Sequence, residues 1–452
     1  MKKKIVESSV LFISILKWLF LASCAGILVG LSTTVFLKAL GFSIAAASEY
    51  RYYYLLLPAA LFLTALIVRH LAPDAEGHGT EKIIEAVHQR SGKIRLMVVP
   101  VKLVATVITI AFGGSAGKEG PAAQIGAAVS SAFSDLLRFD SRDRKKLVIC
   151  GISAGFATVF GTPIAGAIFG VEVLFVGGML YDVLLPSFVS GIVAFQVSSA
   201  LGITYFHEPL QFVPMFSSLF FIKVCGAGIF FGLCSLLLIE ALRLFEKMSH
   251  RLTIWPPLKG LLGGGVLVLL TVVFSTRYLG LGLDTIKESL EGGAVPGGAF
   301  ILKMLFTAIT LGFGGSGGII TPIFFVGATA GNAFGSVLGF DVSVFSAIGM
   351  VALLAGAANT PISSSIMAIE LFGPAVGPYA AVACVISFLM TGHRSVYPSQ
   401  VLSFTKSSSL SVQQGKEMKH IGAVEYQPQP QGRAEALTKW FKKISRKGDR
   451  HD

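Results

Sequence analysis

Lys118 and Glu119 stand where side chains have the clearest chemical opportunity in this chain. They lie in Phe112-Gly-Gly-Ser-Ala-Gly-Lys-Glu-Gly-Pro-Ala-Ala-Gln-Ile-Gly126, a glycine-dense polar turn set into apolar sequence. Glycines let a backbone turn sharply and aim its N–H groups at a ligand, and Pro121 near the opening of the next helix gives up no hydrogen bond. The pattern is that of an anion site built from peptide groups at a helix N-terminus. A phosphate loop would carry Gly-Lys-Ser/Thr, which is absent, and the flanks, Leu103 to Phe112 and Pro121 to Phe133, are nearly free of charge. A helix broken at membrane depth fits both observations.

Other reactive residue types offer less. Glu172, in Phe169-Gly-Val-Glu-Val173, is an acid in an apolar segment, and such residues are costly enough to suggest a function. The eight histidines include His78 and His88, ten apart with no third ligand nearby, and no nucleophile with its base or metal cluster can be assembled. No enzymatic activity, metal or cofactor is expected. Cys24, Cys150, Cys225, Cys234 and Cys384 are scattered through apolar sequence without Cys-x-x-Cys, so they read as small buried hydrophobes.

The elements that position these residues are membrane helices. Of 452 residues, 53% are hydrophobic and only 14% charged, and apolar runs of about 20 residues recur, enough to cross roughly 30 Å of hydrocarbon. The net charge of +12 sits in short loops and at the ends, as topology signals do, so no nucleic-acid partner is expected. Met1-Lys-Lys-Lys4 before a first span at Leu11 to Leu40 places the N-terminus in the cytoplasm. A second span, Tyr53 to Leu71, leads to the basic loop 72–95 with Lys82, Arg90, Lys93 and Arg95, and Arg138 to Lys146 is basic again. Both loops are assigned to the inside, which puts Glu119 toward the outer half. Leu147 to Leu201 should hold two or three shorter pieces, broken at Gly161-Thr-Pro163 and Gly177-Gly178. Further spans are expected at Leu210 to Leu244, Leu258 to Phe274 and Ile301 to Phe313, with two more running to Met390.

The glycine break is duplicated. Phe112-Gly-Gly-Ser-x-Gly117 recurs as Phe313-Gly-Gly-Ser-x-Gly318, and the same offset pairs Pro121 with Pro322 and Gly126 with Gly327. Thr162-Pro163 with Glu172 recurs as Thr360-Pro361 with Glu370. Two broken helices in corresponding halves point to a transport site at the midplane, with both helix N-termini aimed at one anion. Beyond Tyr397 the composition turns polar, through Ser407-Ser-Ser409 and Gln427-Pro-Gln-Pro-Gln431, and reads as a linker. Leu437, Trp440, Phe441 and Ile444 then follow helical spacing among Lys439, Lys442, Lys443 and Arg446. This is either a helix lying on an anionic leaflet or a solvated basic end.

With these motifs in order, residues 10 to 405 resemble the CLC family of chloride channels and proton-coupled chloride antiporters. Gly117-Lys-Glu-Gly-Pro121 is similar to the family's G-[KR]-E-G-P, Gly318-Ile-Ile-Thr-Pro322 to its G-x-F-x-P, and Tyr397 to the pore tyrosine. The resemblance implies an all-α polytopic fold of two inverted halves, about 10–205 and 206–405, in a homodimer with one pore per subunit in the plasma (inner) membrane. Residues 406–452 are expected to form a polar cytoplasmic linker and a short basic amphipathic tail, with both termini inside and no CBS domains. It implies an anion site made by Lys118, Glu119, Gly120, Ile319, Ile320, Thr321 and Tyr397, for chloride or a similar monovalent anion, with Glu119 as the gate. Neutral dipoles suffice to hold a weakly hydrated halide, and a fixed cation would hold it too long to conduct. The other reading of Glu119, a salt bridge with Lys118, suffers because adjacent residues rarely face each other on a helix.

Two departures qualify the resemblance. Gly77-His-Gly-Thr-Glu81 stands where the family usually has G-S-G-I-P, so His78 replaces an anion-binding serine. It either donates an N–H to the inner anion or caps a helix toward the cytoplasm. The inner proton-transfer glutamate of antiporter members aligns with Val173, and its carboxylate partner with Ile84, and both are aliphatic here. A proton cannot hop through valine, so Glu172 or internal water must carry it, or coupling is absent, and Glu370 as repeat mate gives Glu172 a packing role as well. A passive chloride channel is therefore the favoured expectation and a proton-coupled antiporter the alternative. A fluoride exporter ranks lower, since such members typically alter the proline after the gate and lack the tyrosine, whereas Pro121 and Tyr397 are present.

Overall fold

The computed structural model describes residues 2–210, 214, 215, 217–422 and 424–426. Eight helices make the first half: α1 Lys2–Ser48, α2 Leu57–Leu71, α3 Thr80–Gln89, α4 Val98–Ala111, α5 Glu119–Leu136, α6 Ser141–Phe160, α7 Pro163–Glu172 and α8 Leu184–Ala200. Eight more follow in the same order of long and short: α9 Ser218–Arg251, α10 Pro256–Val273, α11 Leu283–Leu290, α12 Ala299–Gly312, α13 Ile320–Leu338, α14 Val342–Ala358, α15 Pro361–Phe372 and α16 Gly377–Met390. Six helical segments among the described residues are long and apolar enough to cross a membrane, and several others are half-length. The last stretch before Met390 contains four helices rather than the two expected, because Asp341, Asn359 and Gly373 end or restart the chain within it. Asn359 does so by adopting φ +57° as a left-handed cap.

Packing repeats with the sequence. The first half joins α1 to α8, α5 to α6, α6 to α7 and α4 to α5, and the second half joins α9 to α16, α13 to α14, α14 to α15 and α12 to α13. Three helix pairs that meet across the halves are equivalents of each other: α2 with α10, α5 with α13, and α7 with α15. That is the signature of a twofold axis running between them. Gly117 and Gly318, equivalent by sequence, form an antiparallel bridge in which each N–H donates to the other's carbonyl, at 2.7 and 2.6 Å. Equivalent strands can pair antiparallel only if one half is turned over relative to the other. The halves are inverted.

Side chains obey the same axis. Ser115 bonds Thr307 and Ser316 bonds Thr106, at 2.9 and 3.2 Å, and the Ser115 and Ser316 amides donate to the Thr310 and Thr109 hydroxyls. Buried Lys102 donates to the Ala75 and Gly77 carbonyls, and buried Lys303 to those of Tyr278 and Gly280. Each lysine thus ties down the loop ahead of a short helix. Gly113 and Gly314, at φ +100° and +101°, make the matching sharp turns after α4 and α12, in a conformation that L side chains avoid.

The segment after Tyr397 departs from the linker expected there. β2 Val401–Leu402 pairs in parallel with β1 Phe175–Val176, and β3 Leu410–Ser411 pairs with β4 Glu425–Tyr426. Lys406 is drawn in by the Asn359 side chain and the Phe388 carbonyl, both 2.6 Å away. Short polar sequence hides this order, because the bonds go to distant backbone rather than to a local pattern. The basic Leu437 to Arg446 pattern lies outside the described residues.

Candidate anion site

The site forms where α5 and α13 begin against each other. Lys118 and Ile319 are the residues just before the two helices, and the first N–H groups of each helix have no carbonyl of their own turn to bond. Two helix starts on one point make a region of positive potential without a fixed charge. No substitution at Gly120 fits, because an added Cβ would run into the His78 carbonyl and touch the Gly318 Cα.

Glu119 fills this point. It is fully buried, and its carboxylate accepts from the Thr321 amide at 2.7 Å and the Thr321 hydroxyl at 2.6 Å. The carboxylate of the first half is therefore seated on the helix start of the second. A Cβ on Gly318 would lie 2.6 Å from the Glu119 Oε1, so glycine is required for the seat to exist. The inverted symmetry fails here: the repeat offset matches Glu119 with Ile320, and Gly120 with Thr321. Scaffold residues are duplicated and working residues are single.

Tyr397 and His78 lie on the other side. Their rings are 5.6 Å apart, and both the Tyr397 hydroxyl and the His78 Nδ1 are buried without a hydrogen-bond partner. The Thr80 hydroxyl neighbours the tyrosine without reaching hydrogen-bond geometry. Buried donors lacking acceptors are costly, and an anion between them would relieve that cost. The histidine ring thus lies beside the tyrosine ring. Its loop is braced by Lys102 beneath Gly77 and by Asp74, which bridges Arg90 and Arg95. Burial alone would push the Asp74 carboxyl up, but the two arginines outweigh it and hold it below its ordinary value.

Sequence reasoning passed over the brace on Tyr397. Gln400 donates to the Val173 and Ala358 carbonyls and accepts from Asn359 and Ser395, while the Ser395 hydroxyl takes the Tyr397 amide. A buried glutamine just after a pore tyrosine was the available signal. Ile319 and Ile320 are buried at the start of α13, and Lys118 is half-buried at the start of α5. Glu172 is not brought to the site. Both its oxygens accept, from the Ile362 and Ser363 amides at 3.0 and 2.8 Å, and Glu370 does the same for Ile164 and Ala165 at 3.0 and 2.7 Å. Val173 and Ile84 are fully buried. Among the described residues no group of three or more His, Cys, Asp or Glu is placed to hold a metal.

Comparison with known proteins agrees with this architecture. The family described as "Voltage gated chloride channel" matches residues 59–392. A chloride/fluoride channel protein of Pseudomonas syringae pv. tomato is 38% identical over 87% of this chain and 88% of its own. The voltage-gated ClC-type chloride channel ClcB of Shigella flexneri is 29% identical over 85% and 92%. Among solved structures, a CLC-type fluoride/proton antiporter superposes with a TM-score of 0.83 at 27% identity, covering 87% of this chain and 99% of that one. A slow cyanobacterial Cl-/H+ antiporter shares the fold, with a TM-score of 0.72 at 20% identity over 83% and 94%. An inverted duplication, two broken helices meeting at Gly117 and Gly318, a carboxylate seated between them and a matched family profile lead to one assignment: this chain belongs to the voltage gated chloride channel (CLC) family and is a multi-pass membrane protein of anion transport.

Proposed function

We propose that the chain exchanges a halide for a proton across the membrane, with fluoride taken ahead of chloride and Glu119 as the gate that carries the proton. One observation carries the reading: the Glu119 carboxylate already occupies the anion position at the start of α13. Anionic Glu119 and a free halide compete for the same Thr321 donors. Protonation removes the charge that holds the side chain there, so each halide that takes the seat is linked to one proton on Glu119.

The seat also bears on which halide. Its amide and hydroxyl each hold a separate carboxylate oxygen, Oε1 at 2.7 Å and Oε2 at 2.6 Å, short charge-assisted distances. Fluoride accepts hydrogen bonds at such lengths and demands strong donors in place of its water, whereas chloride needs longer contacts. The relatives described as a chloride/fluoride channel protein and a fluoride/proton antiporter both have fluoride in their descriptions, which supports it as a substrate here. On these grounds we rank fluoride above chloride, against the chloride-first expectation raised by Pro121 and Tyr397. A passive halide channel is the second reading, favoured by the fully buried aliphatic side chains of Val173 and Ile84. We assign Glu172 to packing, since its oxygens are occupied.

The experiment is halide efflux from proteoliposomes loaded with fluoride or chloride, with external pH recorded together with the halide. Exchange predicts faster fluoride efflux and proton uptake in a fixed ratio to it. Faster chloride efflux would remove the fluoride preference, and efflux with no proton movement would favour the channel.

A further inference from the structure

Glu81 has no place in the anion site or its braces, yet it is built like a working acid. One oxygen accepts from the Ser399 amide at 2.9 Å, two residues beyond Tyr397. The other, Oε2, is buried and has no partner. Glu172 and Glu370 have backbone donors on both oxygens and are committed to them. Glu81 alone among these three acids keeps a buried carboxylate oxygen with no donor on it, which a proton acceptor requires.

Its position suits that use. Glu81 lies in the first turn of α3, directly after Thr80, whose hydroxyl neighbours the Tyr397 hydroxyl. The Tyr397 hydroxyl lies within electrostatic reach of two carboxylates, those of Glu119 and Glu81. The charged groups facing Glu81 are Lys82, its chain neighbour, and Lys419 of the C-terminal segment. That segment is locked onto the tyrosine loop by the Lys419 amide on the Pro398 carbonyl and the Met418 amide on the Gln400 carbonyl. Lys419 pairs with Glu417, which also receives Gln89 from the end of α3. Glu81 therefore lies between the anion site and a polar, charged rim.

We propose that Glu81 is the proton acceptor on the side of the basic loops, standing in for the acids missing at Val173 and Ile84. This inference rests on the proton-coupled reading of Glu119. In the step, protonated Glu119 releases its proton across the Tyr397 and Thr80 hydroxyls, or water between them, to the Glu81 carboxylate. The Glu119 carboxylate is regenerated and Glu81 becomes the neutral acid. Glu81 then passes the proton to water at the Lys82 and Lys419 rim and recovers its charge. No other atom changes hands.

The test is halide and proton flux recorded together from vesicles containing wild-type protein, Glu81→Gln or Glu81→Asp. Glu81→Gln should lower the proton-to-halide ratio by about tenfold or more, because a positioned proton-transfer group is worth that much, while halide still moves, uncoupled. Glu81→Asp keeps the acid but retracts it from Ser399 and should give an intermediate ratio. It also serves if Glu81→Gln does not yield monodisperse protein, and an unchanged ratio in Glu81→Asp then overturns the proposal. A wild-type ratio in Glu81→Gln, or an equal fall of both fluxes, overturns it too, the latter marking a structural residue. Absence of proton movement in the wild type would instead overturn the exchange reading, and this relay with it.

Discussion

At the scale of single residues, the account turns on Thr321. Thr321→Val keeps the shape and the amide donor but removes the hydroxyl that holds Glu119. A hydrogen bond to a charged group is worth about 1.5–3 kcal/mol. Its loss penalises the charged, seated form, so less acid is needed to free the gate, and the pH of half-maximal halide flux should rise by about one unit. A pH profile identical to wild type would show that the hydroxyl does not hold the gate. His78→Ala removes one of the two unpartnered donors and should weaken halide binding measured by calorimetry, while His78→Ser should restore part of it. Equal isotherms would return His78 to a structural role. Glu119 was legible in the sequence because glycine, charge and proline coincide around it. Glu81 was not, because a glutamate in a basic loop looks solvated until Ser399, far along the chain, is seen to close over it.

Among elements, the helix pair α7 and α15 carries the clearest prediction. Each ends near an acid that caps the first N–H groups of the other, a reciprocal clasp across the twofold axis. Carboxylates are favoured at helix N-termini, and losing such a partner costs about 1–3 kcal/mol. Glu172→Gln and Glu370→Gln should each lower the melting temperature in detergent and leave the proton-to-halide ratio unchanged. Loss of proton transport with halide flux retained in Glu172→Gln would make it a relay. The repeat itself was readable from Phe112 and Phe313 onward, and so were both breaks. Lys102 with Lys303, and the Thr and Ser pairs across the axis, share that offset but were masked by the commonness of their residue types. Their meaning appears only when each buried lysine is found beneath a loop carbonyl.

For the whole molecule, charge and contact agree on orientation. Lys17, in the first third of α1, meets Asp143 in the first turn of α6, within the basic stretch Arg138 to Lys146, and Gly92 of the preceding basic loop packs on Lys145. The first third of α1 and both basic stretches thus share one face, for which the positive-inside rule predicts the cytoplasm. A single cysteine placed at Arg142 in a chain whose own cysteines are replaced should resist an impermeant thiol reagent in intact cells and react in inverted vesicles; the reverse pattern would turn the molecule over. Family resemblance further predicts two chains per particle, which light scattering in detergent can count. Hydropathy carried the span count only so far, because half-length helices such as α7 and α15 bury their ends in protein rather than crossing lipid.

The most direct test of the central claim is simultaneous fluoride and pH recording from proteoliposomes containing wild-type protein or Glu119→Gln. A carboxamide has no titratable proton and no charge, so it cannot compete with a halide as an anion or release a proton. The account predicts proton movement in fixed ratio to fluoride in the wild type, and none above that of empty vesicles in Glu119→Gln at any pH. An unchanged proton-to-fluoride ratio in Glu119→Gln would contradict it.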